Sequence, residues 1–241
     1  MKTVITSLLL DREAFWTTLR GGGVGWAGVA QMAGFIVGAC AVYGAVMAFW
    51  SSPMLALYSA VKLPVVFVAS TGLVAVFNWM VAAALGSGLS FRQTVALTFA
   101  AIAVSCWILL ALVPVVVFFM LSCAPDPSTA AAAETDFAYR VVLLTHVLAL
   151  ALAGFAGNVA LLGGLRATVR AGCPAVKLFA AWVALFAFVG CQMSWMLSPF
   201  VGHPLLDVVF FSPDALKTNF IEIVFNRLIP SFTTGKELWM R

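Results

Sequence analysis

The sequence is short of charge. Asp, Glu, Lys and Arg together make up 9% of the 241 residues, whereas a typical soluble domain contains about 25%. Hydrophobic residues make up 63%, and the mean hydropathy is +1.09. This composition excludes a soluble globular domain and a disordered chain. A formal net charge of only +4, without a basic stripe, also excludes nucleic acid as a partner. The sequence therefore predicts an integral membrane protein.

Charged residues are absent from five long stretches of the chain. Each stretch is long enough for one helix of about 20 residues, the length needed to cross a membrane. The first stretch could hold two spans, but Ser51, Ser52 and Pro53 interrupt it, which favours one. We predict an all-α bundle of five transmembrane helices with no Asp, Glu, Lys or Arg inside any of them, at about residues 26–50, 63–85, 95–121, 141–165 and 178–199.

Lys and Arg in short loops set the orientation of a membrane protein. With the N-terminus in the cytoplasm, the outer loops hold only Lys62 and Arg140, and the inner side holds Lys2, Arg12, Arg20, Arg92, Arg166, Arg170 and Lys177. The four basic residues of the C-terminal tail oppose this orientation, but charges after the last span weigh less. We predict a cytoplasmic N-terminus and an outer C-terminus.

Amphipathic segments flank the predicted spans. Leu8, Leu9, Phe15, Trp16 and Leu19 recur at helical spacing, which favours a helix on the cytoplasmic surface. Ser212, Pro213 and Asp214 form a helix-start signal. The helix that follows has an apolar face that can contact lipid or a partner. This face is formed by Leu216, Phe220, Val224 and Leu228. The domains are a cytoplasmic amphipathic segment (1–25), a five-helix membrane domain (26–200) and an outer-face amphipathic segment (201–241).

Ionisable groups at membrane depth are rare and usually functional. Their absence from the predicted spans argues against proton-coupled transport, voltage sensing and catalysis. The sequence also has no zinc-protease motif, Gly-rich phosphate loop or nucleophile triad. We therefore expect no enzyme activity, cofactor or metal site.

A small set of polar residues does fall within the predicted spans: Asn78, His146, Asn158, Gln192 and Ser194. One interpretation is hydrogen bonding between helices, worth roughly 0.6 to 2 kcal/mol for each residue. The other is a polar path for a solute or an ion. A metal site at His146 is disfavoured because no Cys or carboxylate lies at ligand spacing.

Small residues predict where helices approach one another closely. Gly34 and Gly38 form a GxxxG pair in the first span, and Ala149, Ala153 and Gly157 form a similar stripe in the fourth. Both stripes are interpreted as helix-packing faces. Their partners can be helices of the same chain or of another subunit.

The end of the fifth span is unusually rich in distinctive residues: Trp195, Pro199, Phe200, Gly202 and His203. A structural interpretation is that they end the helix and anchor it at the interface. The functional interpretation is a surface for a partner or a lipid headgroup.

Several short motifs follow a familiar order. They are Phe15-Trp16, Lys62-Leu63-Pro64, the sequence Gly-Leu-Ser-Phe-Arg-Gln at 88–93, Gly-x-Gln-x-x-Trp at 190–195 and Pro-Phe-Val-Gly at 199–202. In this order the chain resembles bacterial Yip1-domain-like membrane proteins and related polytopic proteins. The resemblance implies a five-helix, non-enzymatic protein of the bacterial inner membrane that works through partners.

Two functional hypotheses follow. The first is an interaction or assembly component of a membrane complex, surrounded by the lipid bilayer and associated with copies of itself or with other membrane subunits. The alternative is an oligomeric channel or transporter for a small uncharged solute or an ion, with a path lined by Asn78, His146, Asn158 and Gln192.

Overall fold

A computed structural model describes residues 4–123, 132–202, 208–211 and 220. The regular elements among these residues are seven α-helices: α1 (Val4–Leu10), α2 (Arg12–Arg20), α3 (Trp26–Phe49), α4 (Pro53–Ala84), α5 (Phe91–Ser122), α6 (Ala132–Thr168) and α7 (Ala175–Met196). Five of them, α3 to α7, are long and apolar enough to cross a membrane. The predicted all-α architecture with five membrane-spanning helices is confirmed, and the chain is a polytopic membrane protein in form.

Helix α4 begins earlier than the sequence predicted. The Ser52 hydroxyl caps the helix by accepting a hydrogen bond from the Met54 amide at 3.2 Å, and Pro53 occupies the first turn. Proline is favoured at this position because its fixed φ suits a helix start. The prediction that Lys62 lies in a loop outside the second span was therefore wrong. Lys62 lies within α4 and is only 1% exposed.

Helix α5 is the centre of the bundle. Every residue from Thr94 to Ala101 is buried, and α5 contacts α3, α4 and α6. Helix α3 packs mainly on α4, and α7 packs on α4 and less extensively on α6. Only Leu178 and Trp182 of α7 are buried. Helix α7 is therefore the most peripheral of the five spans.

Two glycines allow the closest helix approaches. A Cβ atom at Gly44 of α3 would lie 2.9 Å from the Ser59 carbonyl carbon of α4. A Cβ atom at Gly157 of α6 would lie 2.8 Å from the Ala101 carbonyl oxygen of α5. Only glycine fits at these crossings, because the opposing atoms belong to backbone that a side-chain movement cannot relieve.

The N-terminal segment folds differently from the predicted surface helix. It forms two helices, with Asp11 capping the second through the Ala14 amide at 3.3 Å. Phe15, Trp16 and Leu19 are buried in the core cluster of the bundle instead of facing a lipid surface. The segment therefore covers the end of the bundle.

Side chains at the start of α5 hold this cover in place. The Gln93 Nε2 atom donates to the carbonyls of Leu19 and Arg20 at 3.2 and 3.1 Å, and Arg92 donates to the Gly22 carbonyl at 2.9 Å. The carbonyls at the end of α2, which lack partners within the helix, are satisfied in this way. The described segment 197–202 lies at the opposite end of the bundle, and which end is cytoplasmic stays a prediction.

Candidate functional site

Asn78 and Asn158 lie in one cavity, which we call the central cavity. It has a volume of about 280 Å³ and is enclosed by α4, α5, α6 and α7. Asn78 donates from Nδ2 to the Thr98 hydroxyl at 3.4 Å, and Thr98 donates in turn to the Thr94 carbonyl at 2.9 Å. Asn158 donates from Nδ2 to the Gly154 carbonyl of its own helix at 2.9 Å. The two predicted polar residues from the second and fourth spans are thus brought together.

Two polar atoms of residues that line the central cavity are unpaired. The Asn78 Oδ1 atom lacks a donor and the Trp182 Nε1 atom lacks an acceptor, although both atoms are buried. The rest of the lining is mostly aliphatic and aromatic, with Phe67, Leu109 and Phe186 among its members. Leaving a buried polar group unpaired costs about 1 to 3 kcal/mol. The cavity therefore combines an apolar wall with an acceptor and a donor that lack protein partners.

A second cavity, the outer cavity, adjoins the central cavity. It has a volume of about 430 Å³, and Phe67, Phe186 and Ala187 line both cavities. Ser194 and Trp195 line the outer cavity. Ser70 also lines it, and the buried Ser70 hydroxyl has no hydrogen-bond partner. The predicted residues Ser194 and Trp195 therefore line a cavity between α4 and α7 that adjoins the central cavity.

His146 and Gln192 lie elsewhere. His146 is buried beside α3, where its Nδ1 atom and the Tyr43 hydroxyl are 3.2 Å apart. The Gln192 Oε1 atom accepts a hydrogen bond from the Phe220 amide at 3.2 Å. Neither residue lines the cavity that holds Asn78 and Asn158. In the described part of one chain, the four residues of the predicted path do not line a common cavity.

The distinctive residues after α7 pack against the start of α4. The buried Lys62 ammonium donates to the Pro199 carbonyl at 3.1 Å, and the Ser59 hydroxyl donates to the Phe200 carbonyl at 2.7 Å. Gly202 has a φ of +64° and lies against Leu55 and Ser51. These contacts give Pro199, Phe200 and Gly202 a role within the chain, in the area where a partner surface was predicted.

Two phenylalanine rings also lie close to Lys62. Its Nζ atom lies 4.7 Å from the ring centroid of Phe210 and 6.0 Å from that of Phe211. A cation over an aromatic ring is attracted to the negative ring face. We call Lys62, Pro199, Phe200, Phe210 and Phe211 the outer lysine cluster. The predicted partner surface also included four residues from the C-terminal part of the chain. Phe220 contacts Gln192. The other three lie outside the described residues: His203, Val224 and Leu228.

The two small-residue stripes have different surroundings. Ala149 and Ala153 are buried, and Gly157 meets the backbone of α5. Gly34 and Gly38 are exposed on α3, and a Cβ atom at either would meet nothing within 4 Å. The stripe of α6 is thus used inside the chain, while the GxxxG pair of α3 faces outward.

The described residues include histidine, cysteine and acidic side chains. No group of three His, Cys, Asp or Glu side chains among them could hold a metal ion. Cys40 and Cys106 are buried with their sulfur atoms 3.6 Å apart across α3 and α5. This cysteine pair fills space in the core as small apolar side chains do.

Sequence reasoning missed four residues that contribute to these sites. Trp182 was not among the predicted site residues, but it is buried and lines the central cavity. Ser70 and Thr98 are common in membrane helices, so they gave no signal. Lys62 could have been found, because Ser52 and Pro53 together are a helix-start signal that places it inside a helix.

Comparison with known proteins gave no relative. No protein-family model matches the chain, and no curated protein and no solved structure matches it.

Proposed function

We propose that this chain is a non-enzymatic component of a membrane complex and that the exposed face of α3 packs against a helix of another subunit. The observation that carries the proposal is the position of the GxxxG pair. Gly34 and Gly38 are exposed and open, whereas the contacts within the chain use Gly44 and Gly157. Small residues let helix backbones approach closely in lipid, where van der Waals packing drives association. An outward GxxxG face is therefore suited to a second subunit.

The surface beside this pair supports the same proposal. Ala41 lines an apolar groove of about 550 Å³ between α3 and α4, and Ala45 lines another of about 210 Å³ between α3 and α5. Side chains of a partner helix can fill such grooves on either side of the close backbone contact. The resemblance to Yip1-domain-like proteins implies a function of the same class.

A bulky residue on the open face tests the proposal. Gly38→Ile should disrupt association, because a branched side chain would separate the helix backbones, while the chain itself should stay folded. The expected result is a shift from the assembled form to single chains in native mass spectrometry of nanodisc-extracted protein. Gly72→Ile is the matched control, since Gly72 is also exposed on a membrane-spanning helix with nothing within 4 Å. An unchanged assembly in Gly38→Ile would contradict the proposal.

A second candidate function is a channel or transporter for a small uncharged solute, with the central cavity as part of its path. The observation that favours it is the shared position of Asn78 and Asn158 in one cavity. Two carboxamides can exchange hydrogen bonds with a neutral solute.

Solute flux through liposomes tests this second candidate. Asn158→Leu should reduce the flux of glycerol by about tenfold or more, because the variant removes one polar group from the path, a loss worth roughly 1.4 kcal/mol. Gln31→Leu, at an exposed position on α3, is the control. Equal glycerol flux in the unmodified protein and in both variants would rule out this path.

A further inference from the structure

The central and outer cavities share part of their apolar lining, and we call the two together the groove. Phe67, Phe186 and Ala187 belong to both linings, so a ligand that occupies one cavity lies against the wall of the other. The outer cavity, at about 430 Å³, is in the size range of small-molecule sites, and the central cavity, at about 280 Å³, is just below that range. The groove is therefore large enough for an elongated ligand.

Three residues that line the groove carry an unpaired, buried polar atom. Among the described residues, six buried side-chain nitrogen or oxygen atoms have no partner, and three of them belong to Asn78, Trp182 and Ser70. These three residues line the groove and are each at most 2% exposed. In a membrane, water is scarce and an unpaired buried polar group is costly. A bound ligand that supplies the missing partners would remove this cost.

The lining defines the chemistry of the ligand. No charged side chain lines either cavity, so the groove offers no compensation for a phosphate, carboxylate or ammonium group. Asn78 Oδ1 requires a donor and Trp182 Nε1 requires an acceptor. A hydroxyl group provides both, whereas an ether or a ketone provides only the acceptor. The apolar remainder of the groove suits a hydrocarbon chain.

We infer that the groove binds a neutral lipid that has a hydroxyl headgroup and a long apolar chain. The hydroxyl occupies the central cavity, where it donates to Asn78 and accepts from Trp182. The chain passes Phe67 and Phe186 into the outer cavity. Water alone is a poor occupant of so large a volume, because mostly apolar cavities stay dry. This site is independent of the α3 face, so it goes beyond the proposed assembly function.

Photo-crosslinking of the full chain in nanodiscs tests the inference. The probe is a long-chain primary alcohol that carries a diazirine in the chain and a terminal alkyne, and its methyl ether serves as the matched probe. The alcohol should label residues around Phe67 and Phe186 in a saturable way, and unlabelled alcohol should compete. The ether should label them about tenfold less, because it cannot donate to Asn78.

Variants then identify the polar groups. Asn78→Leu and Trp182→Phe should each lower labelling by the alcohol about tenfold, with the mass of the native complex unchanged. Trp107→Phe is the control, because Trp107 is 47% exposed and lines neither cavity. The inference would be overturned by equal, unsaturable labelling with the two probes, which would indicate ordinary lipid tails in the groove. Absence of labelling from the groove in the unmodified protein would overturn it as well, and this comparison does not depend on the folding of any variant.

Discussion

The Gly44→Val variant is expected to lose about 3 kcal/mol or more of folding free energy, the upper part of the range for overpacked cores. A Cβ atom at this position would lie 2.9 Å from the Ser59 carbonyl carbon and 3.2 Å from the Ala60 nitrogen. Both atoms are backbone of α4, so relief requires α3 and α4 to move apart. Separation of the two helices would also disturb the buried side chains of Met47 and Leu63.

Thermal unfolding in a mild detergent measures this loss. The midpoint should fall by several degrees in Gly44→Val relative to the unmodified protein. Gly72→Val is the matched control, because it makes the same change on α4 at an exposed position with open space around the new side chain. Equal midpoints for the two variants would show that α3 and α4 do not cross at Gly44.

The Lys62→Glu variant is expected to release the segment after α7 from the bundle. The new carboxylate would face the Pro199 carbonyl, which now accepts a hydrogen bond from Lys62, and the ring face of Phe210. The carbonyl oxygen and the ring face both carry partial negative charge. They attract the Lys62 ammonium but would repel a buried Glu carboxylate. A buried charge without a compensating partner costs about 3 to 5 kcal/mol. The outer lysine cluster should therefore come apart while the five helices persist.

Limited proteolysis of the protein in nanodiscs reports this release. Cleavage between residues 197 and 211 should become much faster in Lys62→Glu. Lys177→Glu makes the same change of charge at an exposed position on α7 and should leave the cleavage rate unchanged. Lys62→Met keeps a similar volume without the negative charge and should give an intermediate rate. Equal rates for Lys62→Glu and Lys177→Glu would contradict the role assigned to Lys62.

The number of membrane helices could be predicted because burial of charge in lipid is expensive and leaves long uncharged stretches. Where each helix begins was harder to predict. Ser52 and Pro53 end the first uncharged span and also match a helix-start signal, but charge spacing alone indicates only the first of these roles. The N-terminal helices were recognised as amphipathic, but Phe15 and Trp16 are equally suited to a lipid surface and to a protein surface. Only tertiary packing decides between them.

The candidate site could be predicted only in part. Asn78 and Asn158 were identified because carboxamides are uncommon in lipid, yet their common cavity depends on how α4 to α7 pack. Trp182 could not be assigned, since indoles occur both at interfaces and in cores. Likewise, the pattern of Gly34 and Gly38 is the same whether the partner helix belongs to the same chain or to another. The fold adds only that a Cβ atom at either glycine would meet no described atom within 4 Å.

The central claim is that the exposed α3 face holds this chain in a complex, and the mass of the native particle tests it most directly. The protein is extracted in native nanodiscs and its mass is measured by native mass spectrometry with lipids and partners retained. We predict a particle that contains more than one membrane subunit, either copies of the 25.6 kDa chain or this chain with a different protein. A particle that contains a single chain and no other protein would contradict the claim.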